Sequence, residues 1–429
     1  MTLTDLYSLY LKHPIITTDS RNCPPNSIFF ALKGENFNGN AFARKALEQG
    51  CEYAVVDESE YAVNQQFILV DDCLKTLQNL ANRHRKQFKG NVIGITGTNG
   101  KTTTKELLAA VLSKKYKTRY TEGNLNNHIG VPLTLLRLTG NEDFAVIEMG
   151  ANHPGEIKML CNICEPDFGL ITNVGKAHLE GFGSFEGVIK TKSELYDFIR
   201  AKKGKIFIRH ENRFLREPAA GIDKIEYGTE NDLYITGALK DFGPFLSFEW
   251  KAQNAASRFV QTRLIGAYNL ENVLAAVAVG TYFGVESSLI DEALGDYTPR
   301  NNRSQLKKTE RNSLIIDAYN ANPSSMAAAL SNFEKMKTSG PKAVILGDML
   351  ELGEQSAEEH QKIVDLLDKS QIDKVFLTGD CFVSTKNKYR TFRSVSDFIS
   401  EISEFELNGF TILIKGSRGL TLEKVIEHL

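Results

Sequence analysis

Eight residues, Gly97-Thr98-Asn99-Gly100-Lys101-Thr102-Thr103-Thr104, constrain this chain more than any other stretch. Val92-Ile93-Gly94-Ile95 before them reads as a short buried strand, and Glu106 to Leu112 after them has helical character. Strand, glycine-rich turn and helix is the setting in which a glycine pattern becomes a phosphate-binding loop. The glycines let successive backbone N–H groups converge on an anion, and the helix N-terminus adds partial positive charge. Lys101 is placed to reach the β- and γ-phosphates of a nucleotide, and the Thr102 hydroxyl to bind Mg²⁺. Ile95 occupies the position where the longer phosphate-loop pattern carries its first glycine, so the loop is the shorter G-x-x-G-K-T form. The alternative is a Gly/Thr/Asn turn that binds nothing. Gly-Lys-Thr set between a strand and a helix weighs against it.

A chain of 429 residues suggests about three domains. The formal net charge of −2 gives no electrostatic case for nucleic acid or an anionic membrane. Met1 to Leu11 lacks a basic segment followed by an apolar run, and no apolar stretch is long enough to span a bilayer. A soluble cytoplasmic protein with reduced thiols is expected. Cys161-x-x-Cys164 has no second pair at zinc spacing and lies in an apolar helical stretch, so it reads as core packing.

Residues 1–85 read as a small α/β unit, with strands at Ser27–Leu32 and Tyr53–Val56, a helix from Phe42 to Gln49 stopped by Gly50, and a helix from Leu77 to Gln87. By composition, Thr18–Arg21 and Lys33–Gly39 are ordinary turns. Residues 86–297 alternate near-continuous apolar strands with helices, the mark of a parallel sheet covered on both faces. Lys205 to Thr262 looks β-rich and caps or extends that sheet. Residues 298–429 form a third α/β unit with strands at 314–316, 343–346, 374–377 and 410–414 and helices at 324–336 and 356–367.

In parallel sheets ligands gather at the carboxyl ends of the strands. The phosphate loop, Glu148 after Ala145-Val146-Ile147, and His178 after Phe168 to Thr172 all fall there. Thr102 and Glu148 suit a first Mg²⁺, which prefers oxygen ligands; the competing reading of Glu148 is a solvated strand-end carboxylate. Taken alone, His178 is a hydrogen-bonded loop histidine, and Lys190 and Lys192 are a solvated helix face.

These residues, with Asp19-Ser20-Arg21, Gly123 to Pro132, Glu148 to His153, Asn173 to Ser184, Asn269-Leu270-Glu271-Asn272, Arg303-Ser304-Gln305, Asp317 to Met326, Gly347 to Gly353 and Lys415-Gly416-Ser417-Arg418, resemble the Mur ligases, ATP-dependent amide-forming enzymes of peptidoglycan synthesis. The short phosphate loop resembles that family's form. Asp317 to Met326 and Gly347 to Gly353 are most specific to the member that joins D-alanyl-D-alanine to UDP-N-acetylmuramoyl-tripeptide. The resemblance implies three α/β domains: an N-terminal UDP-substrate domain, a central ATP-binding domain and a Rossmann-like third domain closing over both. It implies that Gly97, Thr98, Asn99, Gly100, Lys101, Thr102 and Thr103 cradle ATP, and that Thr102 and Glu148 hold a first Mg²⁺. His178 is then a ligand of a second Mg²⁺, and Lys192 a carbamylated lysine among the metal ligands. Asn269 and Asn272 stand at the adenine, Arg303 at the γ-phosphate and Asp317 at the ribose. Asn127 lies near the acyl phosphate, and Asp19, Ser20 and Arg21 at the uridine nucleotide. A monomer is expected. The rival readings are a sister ligase adding a single amino acid, a folylpolyglutamate synthetase, and a nucleotide-binding module without catalysis.

Overall fold

In the computed structural model of the chain, residues 1–241, 243–299 and 303–429 are described, and they build three main sheets flanked by helices. The first sheet is four parallel strands, Ile15–Thr17, Ser27–Phe30, Cys51–Val56 and Phe67–Leu69, in that order. All four residues of Ser27–Phe30 are buried, as a parallel strand covered on both faces requires. Two differences from the sequence reading have local causes. The helix expected from Leu77 begins at Cys73, because the Asp72 side chain accepts the Lys75 N–H and caps it there. Lys33–Gly39 is not an ordinary turn: Lys33–Gly34 pairs with Phe37–Asn38 in a hairpin, and Lys33 Nζ lies 2.9 Å from both Asp57 and Glu58. An N-terminal helix, Leu3–Lys12, opens on a reciprocal Thr2–Asp5 capping box that the sequence reading passed over.

The central sheet has nine strands. From one edge they are Arg258–Ile265, Phe245–Ala252, Ile235–Asp241, Asp223–Gly228, Lys205–Arg209, Phe168–Ile171, Asn91–Thr96, Phe144–Glu148 and Thr118–Tyr120. Phe245–Ala252 runs antiparallel to both its neighbours, and the strands from Ile235–Asp241 to Thr118–Tyr120 run parallel. The β-rich stretch therefore extends the sheet. The strand Asn91–Thr96 sits between Phe168–Ile171 and Phe144–Glu148, which brings the phosphate loop, Glu148 and the loop after Ile171 to one edge. Cys161 and Cys164 lie buried on the helix Glu156–Cys164, with sulfurs 3.9 and 3.8 Å from Met149 Sδ; burial pushes the Cys164 thiol up to about 12. They are core.

The third sheet runs Gln305–Lys308, Ser313–Asp317, Thr411–Lys415, Lys342–Gly347, Lys374–Thr378 and Arg390–Phe392, parallel except for its first strand. Among the described residues no helix is long and apolar enough to cross a membrane.

Candidate active site

The phosphate loop is built by backbone geometry. Gly97 has φ +144° and Gly100 φ +77°, both in the region that side chains disfavour. A Cβ at Gly97 would stand 2.0 Å from Thr172 Oγ1, and one at Gly100 2.5 Å from Asn272 Oδ1. The loop is thus wedged between neighbours that only glycine admits. Asn173 and Thr172 hold it from the side: Asn99 N–H donates to Asn173 Oδ1 at 2.9 Å, and Thr172 Oγ1 to Asn99 O at 2.6 Å. The helix Lys101–Leu112 starts at once, and Lys101 Nζ curls back to donate to Gly97 O and Thr98 O at 2.8 and 3.0 Å. Burial pushes the Lys101 amine down to about 8; nearby Glu148 opposes that shift and Arg303 adds to it.

Glu148 is 1% exposed, so it is not the solvated strand-end carboxylate of the competing reading. Its Oε1 accepts from Thr102 Oγ1 at 3.1 Å and from Asn126 Nδ2 at 2.9 Å, and its N–H donates to Thr121 Oγ1 at 3.0 Å. Among the described residues its buried Oε2 has no hydrogen-bond partner, and neither has the buried Lys105 ammonium 3.7 Å from it. An orphaned carboxylate oxygen beside a threonine hydroxyl at a phosphate loop is a hard-oxygen donor set, and it fits Mg²⁺. Asn126 is the asparagine that touches Glu148. Asn127 also lines the cleft, but its Oδ1 is occupied by the N–H groups of Ile129 and Gly130, opening the next helix.

His178 follows the strand Phe168–Ile171 in a left-handed conformation, φ +49°, and its Nδ1 lies against the Glu351 carboxylate of the third domain. Lys190 is exposed as expected, but Lys192 is not on a solvated face: it is 2% exposed, its Nζ donates to Ala151 O at 3.2 Å, and it lies 5.1 Å from the Phe182 ring. Burial holds its amine far below the usual lysine range, and the charge on Lys101 lowers it further. Lys192 stands behind the cleft wall at Ala151 rather than lining the cleft itself.

The third domain completes a cleft of about 830 Å³. Asn322 Nδ2 donates to Asn99 Oδ1 at 2.8 Å, Lys176 N–H to Ser324 Oγ at 3.1 Å, and Lys176 Nζ pairs with Glu359 at 2.7 Å. Arg303 and Asp317 line the same cleft as Lys101, Thr102 and Glu148. The Arg303 guanidinium stacks 3.5 Å from the centre of the Tyr319 ring. Asp317 Oδ2 pairs with Lys415 at 2.6 Å, and its Oδ1 accepts from Ser304 N–H at 3.2 Å. Asn269 and Asn272 line the cleft too, but their amides brace the fold: Asn272 Nδ2 donates to Asn269 Oδ1 at 2.8 Å and Asn272 Oδ1 accepts from Thr104 at 3.1 Å. Asp19, Ser20 and Arg21 lie outside this cleft in the N-terminal domain, where Arg21 pairs with Asp19 at 2.8 Å.

Asp348, His360 and Cys381 gather at metal-ligand distances behind the loop 348–353. Their donors are already engaged. His360 Nδ1 donates to Ser356 O at 2.7 Å, leaving Nε2 to accept the Met349 N–H at 3.0 Å, and Asp348 accepts from Cys381 and Phe382 N–H at 3.0 Å each. The trio fixes the loop that carries Glu351. Sequence reasoning named no role for Lys105, Asn126, Tyr319 or Glu351. Asn126, Tyr319 and Glu351 sit inside motifs it had singled out, whereas Lys105 looks in sequence like any exposed lysine on a helix.

Comparison with known proteins matches three family models: the catalytic domain of the Mur ligase family over residues 13–85, the Mur ligase middle domain over 95–280, and the Mur ligase glutamate ligase domain over 302–418. The UDP-N-acetylmuramoyl-tripeptide–D-alanyl-D-alanine ligase of Bacillus subtilis is 34% identical over 426 residues, 96% of this chain and 92% of that protein. Among solved structures, MurF from Acinetobacter baumannii superposes with TM-score 0.86 at 30% identity, over 96% of this chain and 92% of that one. MurF from Thermotoga maritima in complex with ADP also gives 0.86, at 27% identity, over 97% of each.

Proposed function

The chain belongs to the Mur ligase family, and on that premise we propose that it joins D-alanyl-D-alanine to UDP-N-acetylmuramoyl-tripeptide, turning ATP into ADP and phosphate. We place it in the cytoplasm, as a monomer, with domain limits at 1–85, 86–297 and 298–429. The observation that carries the reading is the single cleft in which the central domain's Lys101, Thr102 and Glu148 face the third domain's Arg303 and Asp317.

In the first step an oxygen of the tripeptide's terminal carboxylate attacks the γ-phosphorus, and the bond to the bridging oxygen of ADP breaks. The carboxyl carbon then carries phosphate, a far better leaving group than oxide. In the second, the dipeptide amine attacks that carbon, loses a proton, and the tetrahedral intermediate expels phosphate to leave the amide. Phosphoryl transfer asks the protein mainly for position and charge. The loop amides and Lys101 hold the triphosphate; Arg303, fixed by its stack on Tyr319, meets charge gathering on the γ-phosphoryl group; Asp317 takes the ribose. Asn269 and Asn272 stand at the adenine, Asn127 near the acyl phosphate, and Asp19, Ser20 and Arg21 at the uridine nucleotide. Thr102 and Glu148 would hold one Mg²⁺, and His178 with Lys192 a second; bound there, the ions would neutralise phosphate charge.

Lys192 suits carbamylation, because CO₂ adds only to an uncharged amine and burial shifts this one toward the uncharged form. Protein equilibrated with ¹³C-bicarbonate is expected to give one carbamate resonance that Lys192→Arg abolishes. A spectrum without it removes the modification.

The deciding experiment measures phosphate release from ATP with UDP-N-acetylmuramoyl-tripeptide, with and without D-alanyl-D-alanine, together with the product mass. Release that requires both, with the pentapeptide formed, supports the reading. Release with a single amino acid points to a sister ligase, and release with neither to an ATPase.

A further inference from the structure

Two arginines share one aromatic ring in the cleft. Arg303 lies 3.5 Å from the centre of Tyr319, and Arg418 lies 5.4 Å from it. Neither guanidinium has an acidic partner among the described residues. Two like charges collected around one ring, both facing a cavity, are stable chiefly when anions enter that cavity. The phosphates already have the loop amides, Lys101 and Arg303. Arg418 is left over, and its place on the third domain is well fixed. It follows Ser417, whose N–H donates to Asp348 O at 3.1 Å and whose Oγ accepts from Leu350 N–H at 3.0 Å. A Cβ on the next residue, Gly419, would stand 3.1 Å from Leu350 Cδ1. The loops 348–353 and 415–419 are thus knitted into one wall of the cleft.

That wall presents opposite charges. Glu351 faces His178, and Arg418 lies on the adjoining loop; the two line the same cavity without pairing with each other. An incoming D-alanyl-D-alanine is a zwitterion. Its amine must reach the activated carbonyl, and its carboxylate trails by about 7 Å in an extended dipeptide. Glu351, beside His178, is the acidic group this wall offers to the cleft, the charge that an ammonium end would meet. From this we propose that Arg418 binds the free carboxylate of the incoming dipeptide and so selects a dipeptide that ends in a charge. The inference rests on the ligase reading given above. It extends that reading to the dipeptide's far end, which neither the phosphate loop nor Arg303 explains. A guanidinium presents a planar fork of donors that matches a carboxylate, which a lysine does not.

The test uses the full chain and two acceptors, D-alanyl-D-alanine and its C-terminal carboxamide, with wild type, Arg418→Ala and Arg418→Lys. Wild-type activity with the dipeptide is measured first; its absence overturns the ligase reading itself. Given that activity, Arg418→Ala is expected to raise the KM for the dipeptide about 10- to 100-fold, the worth of a charge-assisted hydrogen-bonded pair. The KM values for ATP and the UDP-tripeptide should stay unchanged. The carboxamide should be a poor acceptor for wild type to a similar degree, and Arg418→Ala should make it no worse. Arg418→Lys should recover part of the loss. The proposal is overturned if Arg418→Ala weakens both acceptors equally, if the KM for ATP or the UDP-tripeptide rises instead, or if no constant moves. Should Arg418→Ala fold poorly by thermal melting, Arg418→Lys against the two acceptors decides the question by the same criterion.

Discussion

The central domain meets its two neighbours in different ways. Towards the N-terminal domain the contact resembles a core. The helix Cys73–Gln87 lies against the helices Gly130–Leu135 and Glu156–Cys164, and its buried Arg85 donates to Cys164 O and Glu165 O at 2.9 Å each and pairs with Asp167 at 2.8 Å. Asp167 in turn accepts the Val92 N–H at the foot of the strand that leads to the phosphate loop. Tyr10 and His84 reach across to the carbonyls of Leu136 and Leu138, both at 2.7 Å. Towards the third domain the contact is polar and built of single links: Asn322 to Asn99, Lys176 to Glu359, Glu351 to His178. A desolvated contact with saturated donors is hard to open. A half-hydrated one made of a few separate polar links, with Lys176 and Glu351 still reaching water, holds less tightly, and its parts separate more readily. The difference suits the proposed reading, in which the third domain would close on the other two and bring Arg303 over the nucleotide.

The sharpest way to break the contrast is Arg303→Ala. If the third-domain contact serves turnover rather than stability, this variant should lose about a thousandfold in turnover, near 4 kcal/mol in the barrier, as expected for an arginine at a transferring phosphoryl group. ATP should still bind, and the melting temperature should hardly move. Nucleotide titration and phosphate release check it; unchanged turnover takes Arg303 out of the site. Arg85→Ala is the opposite case. It strands two carbonyls and a carboxylate in the N-terminal contact, for a loss of about 3 kcal/mol in urea unfolding. That is the low end for a broken buried pair, because Asp167 keeps Lys202 at 2.6 Å. Turnover below the unfolding transition should persist. A loss under about 1 kcal/mol would make the two contacts alike.

Much of this division was legible in the sequence, and what was not has a physical cause. Short apolar runs such as Ala145-Val146-Ile147, alternating with helical segments, read as buried parallel strands, so the sheet edge carrying Glu148 follows from pattern. The phosphate loop declares itself because its glycines are needed at Gly97 and Gly100 for backbone reasons. The burial of Lys192 and Lys105 was not legible from charge patterning, although the family resemblance had set Lys192 among the metal ligands. Charge patterning places lysines at a helix surface, and only the tertiary fold decides that these two faces are covered. The polar links of the third domain escaped for a related reason: Glu351 and Lys176 are ordinary charged residues until their loops are docked.

The Lys101 amine supplies a test of intermediate size within the cleft. With its value near 8 in the free protein, Lys101 is charged below that pH and neutral above it. A bound triphosphate favours the charged form, so the nucleotide must draw a proton onto Lys101 once the pH exceeds about 8. ATP affinity should be flat below pH 8 and fall up to tenfold, about 1.4 kcal/mol, by pH 9. Calorimetry at pH 9 in two buffers of different ionisation enthalpy should record proton uptake. An affinity flat through pH 9 would mean that Lys101 is already charged there.

The smallest expected effect is also the one most specific to the polar contact. Lys176→Ala removes one half-exposed partner of the buried Glu359, which keeps Lys362 at 3.0 Å. Unfolding stability should change by less than about 1 kcal/mol. If the pair helps to hold the third domain closed, the same fraction of a kilocalorie should appear instead as a two- to fivefold rise in the KM for ATP. That rise should shrink in 1 M salt, where the Debye length is about 3 Å and the half-exposed Lys176 end of the pair is screened. Arg85→Ala, buried on the other side, should show no such salt dependence. A Lys176→Ala defect that survives high salt would mean that the lysine acts by packing rather than charge, and the contrast between the two contacts would then rest on burial alone.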